Sequence, residues 1–130
     1  MTSIPVQRQF SVHIASGQAI SNQTVTIPAG KRLIIENVSG KLIHPSSQIA
    51  FVSVQTTAFQ IDVPGGTTTG FHFFPTTVQP SGTNNEVVFG QRTYIGTVAG
   101  SNVVLTVSRN TTTGSLDGQV TIAGELVDAP

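Results

Sequence analysis

Val25–Val38, VTIPAGKRLIIENV, is the stretch whose reading decides the fold. Val25 and Ile27 alternate with Thr24 and Thr26, the two-residue period of a strand with one buried face. Pro28-Ala29-Gly30 then interrupts the pattern with residues suited to a tight turn. Leu33, Ile34 and Ile35 are apolar at consecutive positions, so the strand after the turn needs cover on both faces, as in the middle of a sandwich. The whole stretch reads as a β-hairpin.

The same alternation recurs on either side of it. Val6, Phe10, Val12 and Ile14 make an opening strand with Arg8 on its apolar face. After Val38, Ser39-Gly40 marks a break or bulge, and Lys41–His44 continues the strand until Pro45. In the next strand Ile49, Phe51 and Ser53 face one way and Ala50, Val52 and Val54 the other. Phe59, Ile61 and Val63 form a short strand closed by Pro64-Gly65-Gly66. Phe71-His72-Phe73-Phe74 is the most aromatic stretch. Thr76–Asn85 is polar, carries Pro80 and Gly82, and reads as the longest exposed loop. Val87–Phe89 and Gln91–Val98 are two strands parted at Gly90, Val103–Val107 follows, Thr111–Gly118 is a second polar loop, and Gln119–Asp128 is the last strand.

About ten short strands, turn signals every eight to twelve residues or so and no amphipathic helix predict an all-β, antiparallel two-sheet β-sandwich of jelly-roll type, a single domain over residues 1–130. An immunoglobulin-like sandwich is the alternative, but it has fewer strands and Trp or Cys landmarks that are missing here. The expected core is Phe10, Val12, Ile14, Val25, Ile27, Leu33, Ile35, Phe51, Phe73, Leu105, Val107, Ile122 and Leu126.

The string Ile27-Pro28-Ala29-Gly30-Lys31-Arg32-Leu33-Ile34-Ile35-Glu36, with Gly124-Glu125-Leu126-Val127-Asp128 near the end, resembles a group of small, uncharacterised bacterial β-sandwich proteins in which a PAGKRL-type hairpin recurs. The resemblance implies a bacterial origin and a sandwich fold; it transfers no activity and no catalytic residue.

Composition narrows the functional classes. With no cysteine there is no disulfide framework, thiolate metal site or cysteine nucleophile. Charged residues make up 9% of the chain against about 25% in ordinary domains, and six basic residues balance six acidic ones. Only Lys31-Arg32 comes close to a cationic cluster, so nucleic acid is not expected as a partner. The first residues, MTSIPVQRQFSV, lack the basic start and apolar core of a signal peptide. The compartment stays open, cytoplasmic or secreted without a visible signal. No run approaches the eighteen or so apolar residues of a membrane span. Sequons at Asn22, Asn37 and Asn110 are those that chance supplies in a threonine-rich chain.

Chemical motifs are sparse. His13, His44 and His72 sit in separate strands, without the spacing of a metal site or a cupin-like centre. No G-x-S-x-G elbow, paired carboxylates or D-x-D loop is present; Asp62 and Asp117 stand alone in or beside loops. No cofactor is expected. Arg32, Glu36, Arg92 and Arg109 lie in or at the ends of strands, where each reads as an ion pair or a carbonyl clamp, or, for Arg92 with Arg109, as a planar anion site. The sequence thus reads as a non-enzymatic assembly, structural or adhesion subunit that forms a homo-oligomer, a dimer or a closed ring such as a trimer. The alternative is a carbohydrate-binding, lectin-like module using the polar loops, with Thr83, Asn84, Asn85, Asn110, Thr112 and Asp117 as the binding residues.

Overall fold

The structure, a computed structural model, describes residues 3–129. Among these residues there are nine strands and no helix: β1 (Ser3–Ile14), β2 (Ile20–Thr26), β3 (Lys31–Pro45), β4 (Ala50–Phe59), β5 (Thr67–Phe74), β6 (Thr77–Ser81), β7 (Asn84–Gly96), β8 (Asn102–Arg109) and β9 (Leu116–Asp128). They form a five-stranded sheet in the order β1-β9-β3-β7-β6 and a four-stranded sheet in the order β2-β8-β4-β5. Every pairing is antiparallel. Strands from opposite ends of the chain lie side by side, β1 on β9 and β2 on β8, as when one long folded ribbon is wrapped into two facing sheets. That is the jelly-roll sandwich expected from the sequence.

The VTIPAGKRLIIENV stretch is not a hairpin. Its turn is tight, closed by Lys31 N–H donating to Pro28 O at 3.1 Å, with Gly30 at φ +74° in the third position. Its two strands, however, belong to different sheets: β2 pairs with β8, and β3 pairs with β7 and β9. The turn is an arch that carries the chain across the core. Ile27, Leu33 and Ile35 are buried beneath it, with Val25 packed against them. Alternation and turn residues are common to hairpins and arches, and what differs is the partner that takes the backbone hydrogen bonds.

The interior is one apolar layer between the sheets, and nine of the expected core residues lie in it: Phe10, Val12, Ile14, Ile27, Leu33, Ile35, Leu105, Val107 and Ile122. Val25 and Leu126 are partly buried against it. Phe51 and Phe73 are instead 47% and 70% exposed. The reason is phase: Val52 pairs with Phe74, and both are buried, so Phe51 and Phe73 fall on the outer face.

Other boundaries shift for equally local reasons. Residues 76–85 are not a long loop: β6 pairs with β7 across a tight turn at Gly82 (φ +63°), and Pro80 is accommodated because β6 is an edge strand. Ile61 and Val63 are exposed in the β4–β5 connection rather than forming a strand. The predicted parting at Gly90 is absent, and β7 runs through it. The irregularity in β3 falls between Ile35 and Asn37 rather than at Ser39-Gly40. Gly40 stays in the ladder because a side chain there would come within 2.5 Å of Gln119 O and 2.8 Å of the Phe89 ring.

Ile35 is fully buried beneath the arch. Ile35→Ala is expected to lower the unfolding free energy by about 2–5 kcal/mol. Urea denaturation measures this, and a midpoint equal to the parent's would mean the arch does not seal the core.

Candidate functional site

Two regions gather polar side chains, one at each end of the sandwich. At the first end, the β1–β2, β3–β4 and β8–β9 connections meet on Arg109, the last residue of β8, which is 4% exposed. Its guanidinium makes six hydrogen bonds to five oxygens. Nε donates to Gln18 O (3.0 Å), Nη2 to Gln18 O (2.7 Å), Ala15 O (3.1 Å) and Gly114 O (2.8 Å), and Nη1 to Gln48 Oε1 (3.2 Å) and Thr113 O (3.3 Å). The buried Gln48 amide also donates to Thr113 O. Of its expected roles, ion pair, carbonyl clamp or anion site, Arg109 takes that of the clamp. Arg92 lies on the other sheet, exposed on β7.

The six loop residues expected to bind are brought to this same end. Thr83 lies in the β6–β7 turn, where its O accepts from Ser46 N–H at 3.1 Å, and Asn84 and Asn85 open β7. Asn85 Nδ2 donates to Ser46 O at 3.2 Å, and Asn110 Oδ1 accepts from Ile49 N–H at 2.8 Å. Thr112 and Asp117 are exposed. Asp117 Oδ1 is 2.5 Å from His13 Nδ1, and its Oδ2 accepts from Ser115 Oγ at 3.2 Å. This serine, carboxylate and histidine do not make a nucleophilic triad, because the serine bonds to the carboxylate rather than to the imidazole. The side chains of His13 and Asp117 are also 64% and 58% exposed on the sheet surface. The Asn85 and Asn110 side chains are thus spent on holding the connections at this end to one another.

The three histidines lie on three different strands, β1, β3 and β5. His44 is 1% exposed, with Nδ1 donating to Pro45 O at 2.7 Å and Nε2 buried without a protein partner. His72 lies on β5, with Nε2 3.2 Å from Thr56 Oγ1 on β4. Among the described residues, no three His, Cys, Asp or Glu side chains meet in a way that could hold a metal ion.

At the opposite end a cleft of about 680 Å³ opens between the sheets. Its walls come from the ends of β4, β5 and β7, where β5 and the part of β7 beyond the β6 pairing are unpaired flanks of the two sheets. The inward positions of β4 and β5 change character here. Val52, Val54 and Phe74 give way to Thr56, Ala58, Thr68, Gly70 and His72. Thr56 is 2% exposed and forms the inner wall with His72, while Tyr94 and Phe59, 79% and 67% exposed, flank the mouth. Gly70 has no conformational requirement for glycine. A Cβ there would meet only the His72 imidazole, at 3.7 Å. This cleft was not expected from the sequence; its signal there is the replacement of Val by Thr and Gly at inward positions of β4 and β5.

A second opening, of about 210 Å³, lies between β1 and β2 and is lined mainly by Val6, Val25, Ile27, Leu33 and Leu126. It is an apolar extension of the core, with Arg8 over the Phe10 ring at 5.2 Å and Gln23 Nε2 tying β2 to Ser11 O at 2.8 Å. No family model matches the chain, and no curated protein matches it.

Arg109→Met would leave several buried carbonyl oxygens without a donor, and the expected loss of stability is about 3–5 kcal/mol. Arg109→Lys should recover only part of it, since an ammonium cannot reproduce the planar fork. Chemical denaturation of both variants is the check; two variants as stable as the parent would show that the loops need no clamp.

Proposed function

We propose that the protein is a non-enzymatic assembly subunit that associates with copies of itself through the outer face of the four-stranded sheet. The observation that carries this is the distribution of charge. Of the twelve charged residues, ten lie on the five-stranded sheet: Arg8 on β1, Lys31, Arg32, Glu36 and Lys41 on β3, Glu86 and Arg92 on β7, and Asp117, Glu125 and Asp128 on β9. The other two are Asp62, in the β4–β5 connection, and Arg109, buried in the clamp. The outer face of the four-stranded sheet therefore carries no charge.

That face is also apolar in patches. Phe51, Phe71 and Phe73 are 47%, 60% and 70% exposed, and Ile20 is 54% exposed. The register places Phe73 beside Ser53 and Thr106 in one row, and Phe71 beside Gln55 and Val104 in the next. Large aromatics on a neutral, threonine-rich sheet lose little desolvation energy and gain hydrophobic contact when covered. A second copy fits because two identical neutral faces do not repel each other, and net charge is zero. Closed symmetry, a dimer or a ring such as a trimer, covers the face without growth into filaments. Four strands about 4.8 Å apart and seven residues of about 3.3 Å rise give a patch of roughly 440 Å² in projection. This is small beside the ~800 Å² per partner of a standard interface, so association is expected to depend on concentration.

Size exclusion with light scattering should show a multiple of 13.6 kDa that falls toward 13.6 kDa on dilution. The double variant Phe71→Asp with Phe73→Asp should remain at the monomer mass and unfold near the parent's midpoint, both side chains being exposed. A parent protein at the monomer mass up to millimolar concentration would refute the proposal.

A further inference from the structure

We infer that the cleft between β4, β5 and β7 is a binding site for a neutral saccharide. Carbohydrate recognition is expected from the sequence at the polar loops, where Asn85 and Asn110 bond to neighbouring backbone and Asp117 to His13 and Ser115. The opposite end has what a sugar requires. Its volume, about 680 Å³, lies within the ~300–1,000 Å³ of small-molecule sites.

The interior of a sandwich is ordinarily filled by Val, Leu, Ile and Phe, as it is here along Val52, Val54 and Phe74. At the cleft the same faces of the same strands carry a threonine hydroxyl, a histidine and a glycine. Thr56 and Gly70 are directly opposed across β4 and β5, and Thr56 Oγ1 and His72 Nε2 lie 3.2 Å apart. A polar pair set back between two sheets, beside a glycine that nothing in the backbone or the packing demands, leaves space for a polar ligand, to which groups that bond each other in its absence can turn.

Charge and shape select the class. The lining contains Asp62 and no lysine or arginine, so phosphorylated, sulfated and carboxylated ligands lack a counter-charge. The mouth is flanked by Tyr94 and Phe59, both mostly exposed. They bring aromatic surface to the rim for a ligand with an apolar C–H face and a hydroxyl-bearing edge, the amphipathic form of a pyranose ring. Gln60 and Asp62, beside Phe59 on the same wall, supply amide and carboxylate groups for hydroxyls.

The composition provides its own reporter. Tyr94 is the only tyrosine and there is no tryptophan, so intrinsic tyrosine fluorescence comes from the cleft alone. The parent protein is titrated with cellohexaose, mannohexaose, xylohexaose, chitohexaose and maltohexaose, with a heparin hexasaccharide as the anionic control. At least one neutral oligosaccharide should give a saturable change in Tyr94 emission, and heparin none. Gly70→Val, which fills the space facing His72, should weaken that binding by roughly tenfold or more, as the loss of a central contact does. Isothermal titration of Tyr94→Ala, an exposed position whose change leaves the fold intact, should show a similar loss, and Tyr94→Phe should keep binding. No saturable response to any neutral sugar, binding by heparin alone, or unchanged affinity in Tyr94→Ala would overturn the inference. Since the cleft lies on the inner faces of β4 and β5, the self-association variants Phe71→Asp and Phe73→Asp should bind the sugar as the parent does, which separates failure of one proposal from failure of the other.

Discussion

A single buried guanidinium holds together the end of the sandwich where three connections meet. A jelly roll carries its chain repeatedly from one sheet to the other, and each crossing leaves backbone carbonyls that no ladder satisfies. Arg109 supplies donors to carbonyls in the β1–β2 and β8–β9 connections and to the Gln48 side chain between them. Arginine suits the role because its planar fork presents five N–H groups in fixed directions and is less strongly hydrated than an ammonium. Its charge is met by carbonyl and amide dipoles converging from several directions. In a chain without cysteine, this clamp restrains connections that a disulfide restrains in other small β-domains.

The middle of the larger sheet depends on a constraint of the opposite kind, the absence of side chains. A Cβ on Gly118 would overlap the Lys41 carbonyl oxygen, and one on Gly124 would overlap that of Ile34. Both glycines lie on β9 opposite β3, the pair at the centre of the five-stranded sheet. The strands approach closely there because nothing projects between them, which lets Ile35, Val38 and Leu42 sit fully buried beneath. Glycine weakens an isolated strand, and here close packing of the central pair offsets that weakness.

The fold class was legible because period-two alternation and turn residues are local signals. Phe10, Val12 and Ile14, or Leu105 and Val107, can be assigned to the interior from their spacing alone. Pairing was less legible. The Pro28-Ala29-Gly30 turn reads the same whether the strands beside it share a sheet or face each other across the core, and only the distant partners β8 and β9 distinguish the two. Phase failed in runs with apolar residues on both faces: in Phe71-His72-Phe73-Phe74 either alternate set qualifies, and the pairing of Phe74 with Val52 decides it. Arg109 was recognisable as a clamp or an anion ligand because charge is scarce in this chain. The cleft was not, since Thr56, Gly70 and Tyr94 are separated in sequence and come together only where two sheets part.

The strands β4 and β5 carry both proposed surfaces, and their pleat keeps the two apart. Along β5, Phe71 and Phe73 stand outward while Gly70 and His72 stand inward. Along β4, Phe51 stands outward and Thr56 inward. Alternation gives each strand an outer row that carries the exposed phenylalanines and an inner row that passes from core residues, Val52, Val54 and Phe74, to the polar groups of the cleft, so covering the outer face with another copy leaves the cleft accessible through the open flank beside β7. The uncharged sheet favours both uses for one physical reason. A face without ions has little hydration to lose when another subunit covers it, and a cleft without cations does not draw in the anions that would compete with a neutral sugar. Association through the outer faces would then place several clefts on one particle, and weak individual binding would be strengthened by multivalency rather than by a deeper pocket.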